Sequence, residues 1–251
     1  MDKKKIVPAF APFFKEHGYK KWGTTKFYKI ENDIAYCFLF EIPSVIVYPT
    51  YFILPLYIPT EYIHLSYGCR LESHPCFCVP SYNILVEDND FLMKVKELKN
   101  TLPGNISLAE PRKMDFDKWK KQVQQCLTED IFPFYESINS PEKLLHFMDQ
   151  HPFEAREYFA CRTLFRLELK AYTSFYLSDF EGVYKYINYI RSNLEREWDS
   201  EMMKEYSEKV THLEKLIESP QTVRDGFIKD TINHTLETLF RIRSQEDQAK
   251  P

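Results

Sequence analysis

Hydrophobic residues come in short dense runs up to about residue 71 and at helical spacing after about residue 115. Two runs dominate the first part, Ile34-Ala35-Tyr36-Cys37-Phe38-Leu39-Phe40 and Tyr51-Phe52-Ile53-Leu54-Pro55-Leu56-Tyr57-Ile58. Both are rich in aromatic and β-branched residues and are bounded by Asn32-Asp33, Pro43-Ser44 and Pro59-Thr60, which predicts strands. The first run is apolar without alternation, so a strand covered on both faces is expected. Pro49 and Pro55 withhold ladder donors and point to an edge strand or a bulge. The stretch is long enough for a membrane span, but Pro43, Pro49 and Pro55 would break such a helix three times.

Around these runs the pattern predicts further elements. A first helix carries Ile6, Phe10 and Phe13 or Phe14 inward and ends at Gly18, a residue suited to a helix C-terminus. Strands follow at Thr25–Ile30, Ile34–Ile42, about Tyr51–Ile58 and Tyr62–Leu71, and Tyr82–Val86 adds a last one. Short connections favour an antiparallel meander. Leu92, Val95 and Leu98 stripe a short helix, and residues 100–115 form the natural boundary.

Beyond it, Phe116, Trp119, Val123, Cys126 and Leu127 share a helix face, and Ser140-Pro141 reads as an N-cap with proline in the first turn. A helix over about 153–177 carries two adjoining apolar stripes, as a central helix would. The chain turns at Ser178–Gly182, and helices striped by Val183 to Leu194, Met202 to Ile217 and Ile228 to Leu239 follow. A long helix, tight turn and partner helix over Tyr158–Ile217 resemble a tetratricopeptide-type hairpin without a clean repeat. The expected architecture is α+β: residues 1–100 form an N-terminal antiparallel sheet with flanking helices, and residues 115–251 form a helical hairpin or bundle packed on it.

Composition narrows the function classes. With 251 residues, 44% of them hydrophobic, the chain can bury a sizeable core. Its net charge of −4 argues against a nucleic-acid backbone as partner. Lys20-Lys21-Trp22 and Lys26-Phe27-Tyr28-Lys29 have the residue types for stacking on single strands, yet also suit a polar strand face with inward aromatics. Lys3-Lys4-Lys5 ahead of Ile6–Phe14 mimics a leader, but Pro8 and Pro12 interrupt the run, so a cytoplasmic protein is expected.

The densest candidate chemistry is His64, Cys69, His74, Cys76 and Cys78. In an extended chain His74, Cys76 and Cys78 point to one face, and zinc takes imidazole and thiolate. The spacing is not an established zinc pattern, and Pro75 disturbs the strand; zinc is nonetheless the one cofactor this sequence brings into view. Glu87-Asp88-Asn89-Asp90 lacks calcium-loop spacing and reads as helix capping. Cys161 with His146 or His151 is the one imaginable nucleophile pair, but Cys161 sits in the apolar stripe of its helix. Cys37 and Cys126 lie in apolar patterns as small core residues. No phosphate loop, nucleophile elbow or zinc-protease motif is present in the sequence.

Phe13-Phe14, His17-Gly18-Tyr19-Lys20-Lys21-Trp22-Gly23, Thr25-Lys26-Phe27-Tyr28-Lys29, Ile131-Phe132-Pro133-Phe134-Tyr135 and Ser140-Pro141-Glu142 together resemble a bacterial family catalogued as domain of unknown function 4304. The resemblance covers about half the chain and implies a bacterial cytosolic α+β protein. It brings no catalytic residues. Families of this look often sit beside toxin systems, which implies an immunity- or antitoxin-like role with a toxin as partner. Three expectations result: a non-catalytic protein-binding module, a metal-binding enzyme or sensor built on the His/Cys cluster, or a scaffold that self-associates through an edge strand.

Overall fold

The computed structural model describes residues 3–42, 46–59, 68–71, 82–83, 115–151, 163–194 and 200–241. The fold is α+β: an N-terminal antiparallel sheet followed by a helical region. The chain divides into two compact units. One comprises 1–29, 37–51 and 70–134, and the other 30–36, 52–69 and 135–251. No helix among the described residues is long and apolar enough to cross a membrane.

Helix α1 (Lys3–Glu16) contains both Pro8 and Pro12. It is held by its inner face, where Ile6, Phe10 and Phe14 recur every fourth residue and are fully buried. Its end follows from Gly18 at φ +81°. There Tyr19 N–H reaches Phe14 O (2.8 Å) and Gly18 N–H reaches Lys15 O (3.1 Å), the paired bonds of a left-handed helix terminus.

The sheet runs in the order β1 (Lys20–Trp22), β2 (Lys26–Glu31), β3 (Ile34–Glu41), β4 (Ile46–Pro55), β5 (Gly68–Arg70), with β6 (Tyr82–Asn83) also on β4. This is the expected meander. Asn32 (φ 48°) and Asp33 (φ 58°) form the two-residue loop between β2 and β3. Positive φ at both positions is the twist-matched hairpin geometry that Asn and Asp tolerate. Strand β3 is buried from Ile34 through Phe38, as a run without alternation predicts.

Strand β4 differs from expectation. It begins at Ile46, runs through Pro49, and lies between β3 and β5 rather than at an edge. Among the described residues β6 pairs with it at Ile46 and Val47. Pro49 contributes no backbone donor to the ladder.

In the first unit the core is aromatic. Phe14 stacks on Phe27 (centroids 4.2 Å), and Phe10 meets Phe40 (4.7 Å). Helix α2 (Phe116–Cys126) is capped by Asp115, whose Oδ1 accepts from Lys118 N–H (3.0 Å). It inserts Trp119 against Phe10, Phe40 and Tyr82 at 5.6, 6.4 and 5.0 Å. The helix then widens into a π turn, Leu127–Ile131, before α3 (Phe132–Ser137). In this turn Phe132 N–H bonds Leu127 O, one residue further back than in an α-helix.

The second unit contains α4 (Pro141–Gln150), α5 (Thr163–Tyr176), α6 (Phe180–Leu194), α7 (Ser200–Glu218) and α8 (Gln221–Thr235), ending in a π turn, Leu236–Phe240. Ser140 Oγ caps α4 with proline following, as its sequence predicts. Three residues join α5 to α6, which makes them an antiparallel hairpin. Asp149 holds α4, α5 and α6 together: it pairs with Lys170 Nζ (2.7 Å) and Lys185 Nζ (3.7 Å) and accepts from the Tyr186 hydroxyl. Burial alone would raise its carboxyl. The Lys170 and Tyr186 hydrogen bonds and the lysine charges outweigh burial, and its pKa lies below the ordinary value.

Gly182 lies within α6, not in the preceding turn. Asp179 caps this helix by accepting from Gly182 N–H (3.0 Å). A Cβ on Gly182 would sit 2.0 Å from Asp179 Oδ2 and 2.8 Å from Ser174 Oγ. Glycine to alanine inside a helix ordinarily stabilises, by up to about 1 kcal/mol. Here Gly182→Ala displaces the capping carboxylate and crowds α5, and a net loss of about 1–2 kcal/mol is expected. Urea denaturation checks this, and a stabilised variant would refute the close approach.

Candidate functional site

The second unit carries a groove of about 320 Å³ between the tip of the β2–β3 hairpin and the last helix. Asp33 and Tyr176 form one wall, and Ile228 and Ile232 of α8 line the other. Asp225, Lys229 and Asn233, also on α8, complete the rim.

The first wall is fixed from several directions. Asp33 sits in the positive-φ loop, and its carbonyl accepts from Leu56 N–H (2.8 Å). The preceding Asn32 donates its amide to Asn139 O (2.7 Å). Asp33 Oδ2 accepts from the Tyr176 hydroxyl (2.7 Å), joining residues 143 positions apart. The Tyr176 ring stacks on Tyr57 with centroids at 4.4 Å. Tyr57 is fully enclosed and lies 3.1 Å from Thr173 Oγ1. The Thr173 hydroxyl proton is already given to Leu169 O (2.6 Å), so Tyr57 is the donor in that contact. A chain of side chains thus runs from the groove into α5.

The second wall belongs to the inner face of α8. On that face Thr231 and Thr235 are buried, and Ile228 and Ile232, three residues before each of them, are only partly buried. Arg224 holds the start of α8 against the end of α7 by donating to Ile217 O (3.2 Å) and Ser219 O.

Chemically the groove is suited to binding. Burial, the Asp33 hydrogen bond and the Asp33 charge push the Tyr176 hydroxyl up to about 12. It therefore stays protonated and serves as a donor rather than a base. Among the described residues the lining offers two isoleucines, a phenol, two carboxylates, an amide and one ammonium.

The residues singled out from sequence are not among those described as lining the groove. Cys69 lies in β5, while His64, His74, Cys76 and Cys78 lie outside the described residues, as do Glu87–Asp90 and Cys161. Among the described residues no group of three or more His, Cys, Asp or Glu side chains is placed to hold a metal. His146 and His151 are exposed on α4 and at its end. Cys37 and Cys126 are buried thiols, and burial raises the Cys37 thiol far above its usual range. In the basic–aromatic stretch Phe27 and Tyr28 are buried, and Lys26 Nζ lies 4.2 Å from the Trp22 ring centroid, the arrangement of a strand with inward aromatics.

The groove residues were invisible as a site in sequence. Asp33 reads as a turn residue, and Ile228 and Ile232 read as core. Set against family models, curated proteins and solved structures, the chain matches none.

Proposed function

We propose that this chain is a non-catalytic protein-binding module of the bacterial cytosol, with the groove between Asp33, Tyr176 and α8 as its docking site. The observation that carries the reading is the pairing of a hydrogen-bonded wall with partly exposed isoleucines. Half-exposed aliphatic residues beside fixed polar groups are what a protein interface offers: apolar anchors for affinity and oriented donors and acceptors for register. The raised Tyr176 hydroxyl supports binding over acid–base work. The resemblance to the domain of unknown function 4304 family supports an immunity- or antitoxin-like role, and the acidic excess of the helical half suits a basic toxin.

The test is a pull-down from host lysate with the intact chain and with Ile228→Asp/Ile232→Asp. Helical content of the variant is verified by circular dichroism. One stoichiometric partner is expected with the unaltered chain, and the variant should lose about 2 kcal/mol of binding, roughly thirtyfold in affinity. Equal recovery by both proteins would reject the groove. Turnover by the purified chain, abolished by one polar substitution, would reject a non-catalytic module.

A further inference from the structure

Resting on the protein-binding reading of this groove, we infer that the feature it recognises is an arginine side chain on the partner, laid along α8 with its guanidinium at Asp33 and Asp225. Arginine combines a long apolar stem with a planar cationic head that never loses its charge at physiological pH. The groove has the complementary sequence of surfaces. Ile228 and Ile232 supply an apolar strip four residues long on one helix face. Asp33 and Asp225 supply carboxylates, and Lys229 is the one cation among the described lining residues, which together are net negative.

The state of Asp33 strengthens the assignment. Its Oδ2 accepts from Tyr176, whose ring is clamped by Tyr57. The carboxylate is therefore held in orientation before any partner arrives, and a carboxylate so placed can take a forked guanidinium contact without first losing side-chain freedom. A neutral apolar side chain would use the isoleucine strip and leave both carboxylates facing it. An acidic one would meet two like charges. The volume of about 320 Å³ is enough for one such side chain with part of its backbone.

The test uses three short peptides on the intact protein: Ac-Ile-Arg-Ile-NH2, Ac-Ile-Lys-Ile-NH2 and Ac-Ile-Gln-Ile-NH2. Each is titrated while the Ile228 and Ile232 methyl groups are followed by 13C NMR. The arginine peptide is expected to give saturable shifts at both methyls, with at least about tenfold weaker binding of the glutamine peptide. Asp33→Asn should lose at least about tenfold for the arginine peptide and little for the glutamine peptide. Asparagine tolerates the left-handed backbone at this position, so the loop is preserved. Equal affinity for the arginine and glutamine peptides, tighter binding of the lysine peptide, or the absence of shifts at these methyls would each overturn the inference. If the pull-down still depends on Ile228 and Ile232 in that case, arginine recognition alone has failed. If it does not, the docking site itself has failed.

Discussion

Replacing Trp119 by alanine should cost about 3–5 kcal/mol, the largest loss expected from any single truncation in the first unit. Trp119 is fully buried. Its ring touches Phe10 of α1 edge-on, Phe40 of β3, Tyr82 of β6 and Phe116 of its own helix, at 5.6, 6.4, 5.0 and 5.9 Å. Each contact loses packing, and the cavity opens among rings already fixed by other partners: Phe10 by Phe40, and Phe14 by Phe27. Such rings cannot collapse inward to fill it, so the cost falls toward the upper end of the range. Against a whole-protein stability of about 5–15 kcal/mol, that is a large share. Urea unfolding followed by far-ultraviolet circular dichroism should show the midpoint falling by about 1–2 M. Trp119→Phe should fall by less than half as much. A loss below about 1 kcal/mol for the alanine variant would mean that α2 does not anchor this core.

The second large effect lies in the helical unit. Lys209 of α7 and Glu168 of α5 are each about 2% exposed and paired at 2.9 Å. Glu168 Oε2 also accepts from the Tyr206 hydroxyl (3.1 Å), and Lys209 pairs with the more exposed Glu205 (2.7 Å). Lys209→Met strips a buried carboxylate of its cation and should cost about 3–5 kcal/mol at neutral pH. Removing the buried pair together with Glu168→Leu/Lys209→Met/Tyr206→Phe leaves neither buried charge behind and should return stability to within about 1 kcal/mol of the unaltered protein, or above it.

The pH dependence has a definite sign. Burial holds the Glu168 carboxyl above its usual range, against the lowering effect of Lys209 and Tyr206. A carboxyl raised on folding contributes stability that is fully present below its unfolded pKa of about 4.3 and is lost as pH rises through the folded value. Taking away Lys209 raises it further. The deficit of Lys209→Met should therefore be smallest near pH 4 and grow toward pH 7.5. A deficit that is small and flat across that range would show that the pair does not hold α5 to α7.

Much of the fold was readable because it is dictated locally. Gly18 ends α1, Ser140-Pro141 starts α4, and Asn32-Asp33 makes the tight turn, each through backbone conformations that few residues tolerate. The unbroken apolar run of β3 announced that both its faces are covered. What stayed hidden depends on partners far along the chain. Proline at position 49 argued for an edge strand or a bulge, yet β4 pairs with β3 on one side and β5 on the other. The π turn at 127–131 widens the helix by one residue, a change that sequence periodicity averages away. Nothing near Asp33 in sequence foretells Tyr176, and nothing near Glu168 foretells Lys209. Such pairings are made by helix packing, and a search for ligand-like spacing passes them by.

The interleaving of the two units has a consequence for how the protein is born. The first unit is complete once Phe134 has left the ribosome, but residues 30–36 and 52–69 belong to the second. At about 5–20 residues per second, the remaining segment takes roughly 6–23 s to arrive. Ile34-Ala35-Tyr36 and Phe52–Ile58, among the most apolar stretches of the chain, must wait through that interval for their helices. A nascent-chain chaperone would find its clearest target there, and translation speed after codon 134 would set how long the target stays open.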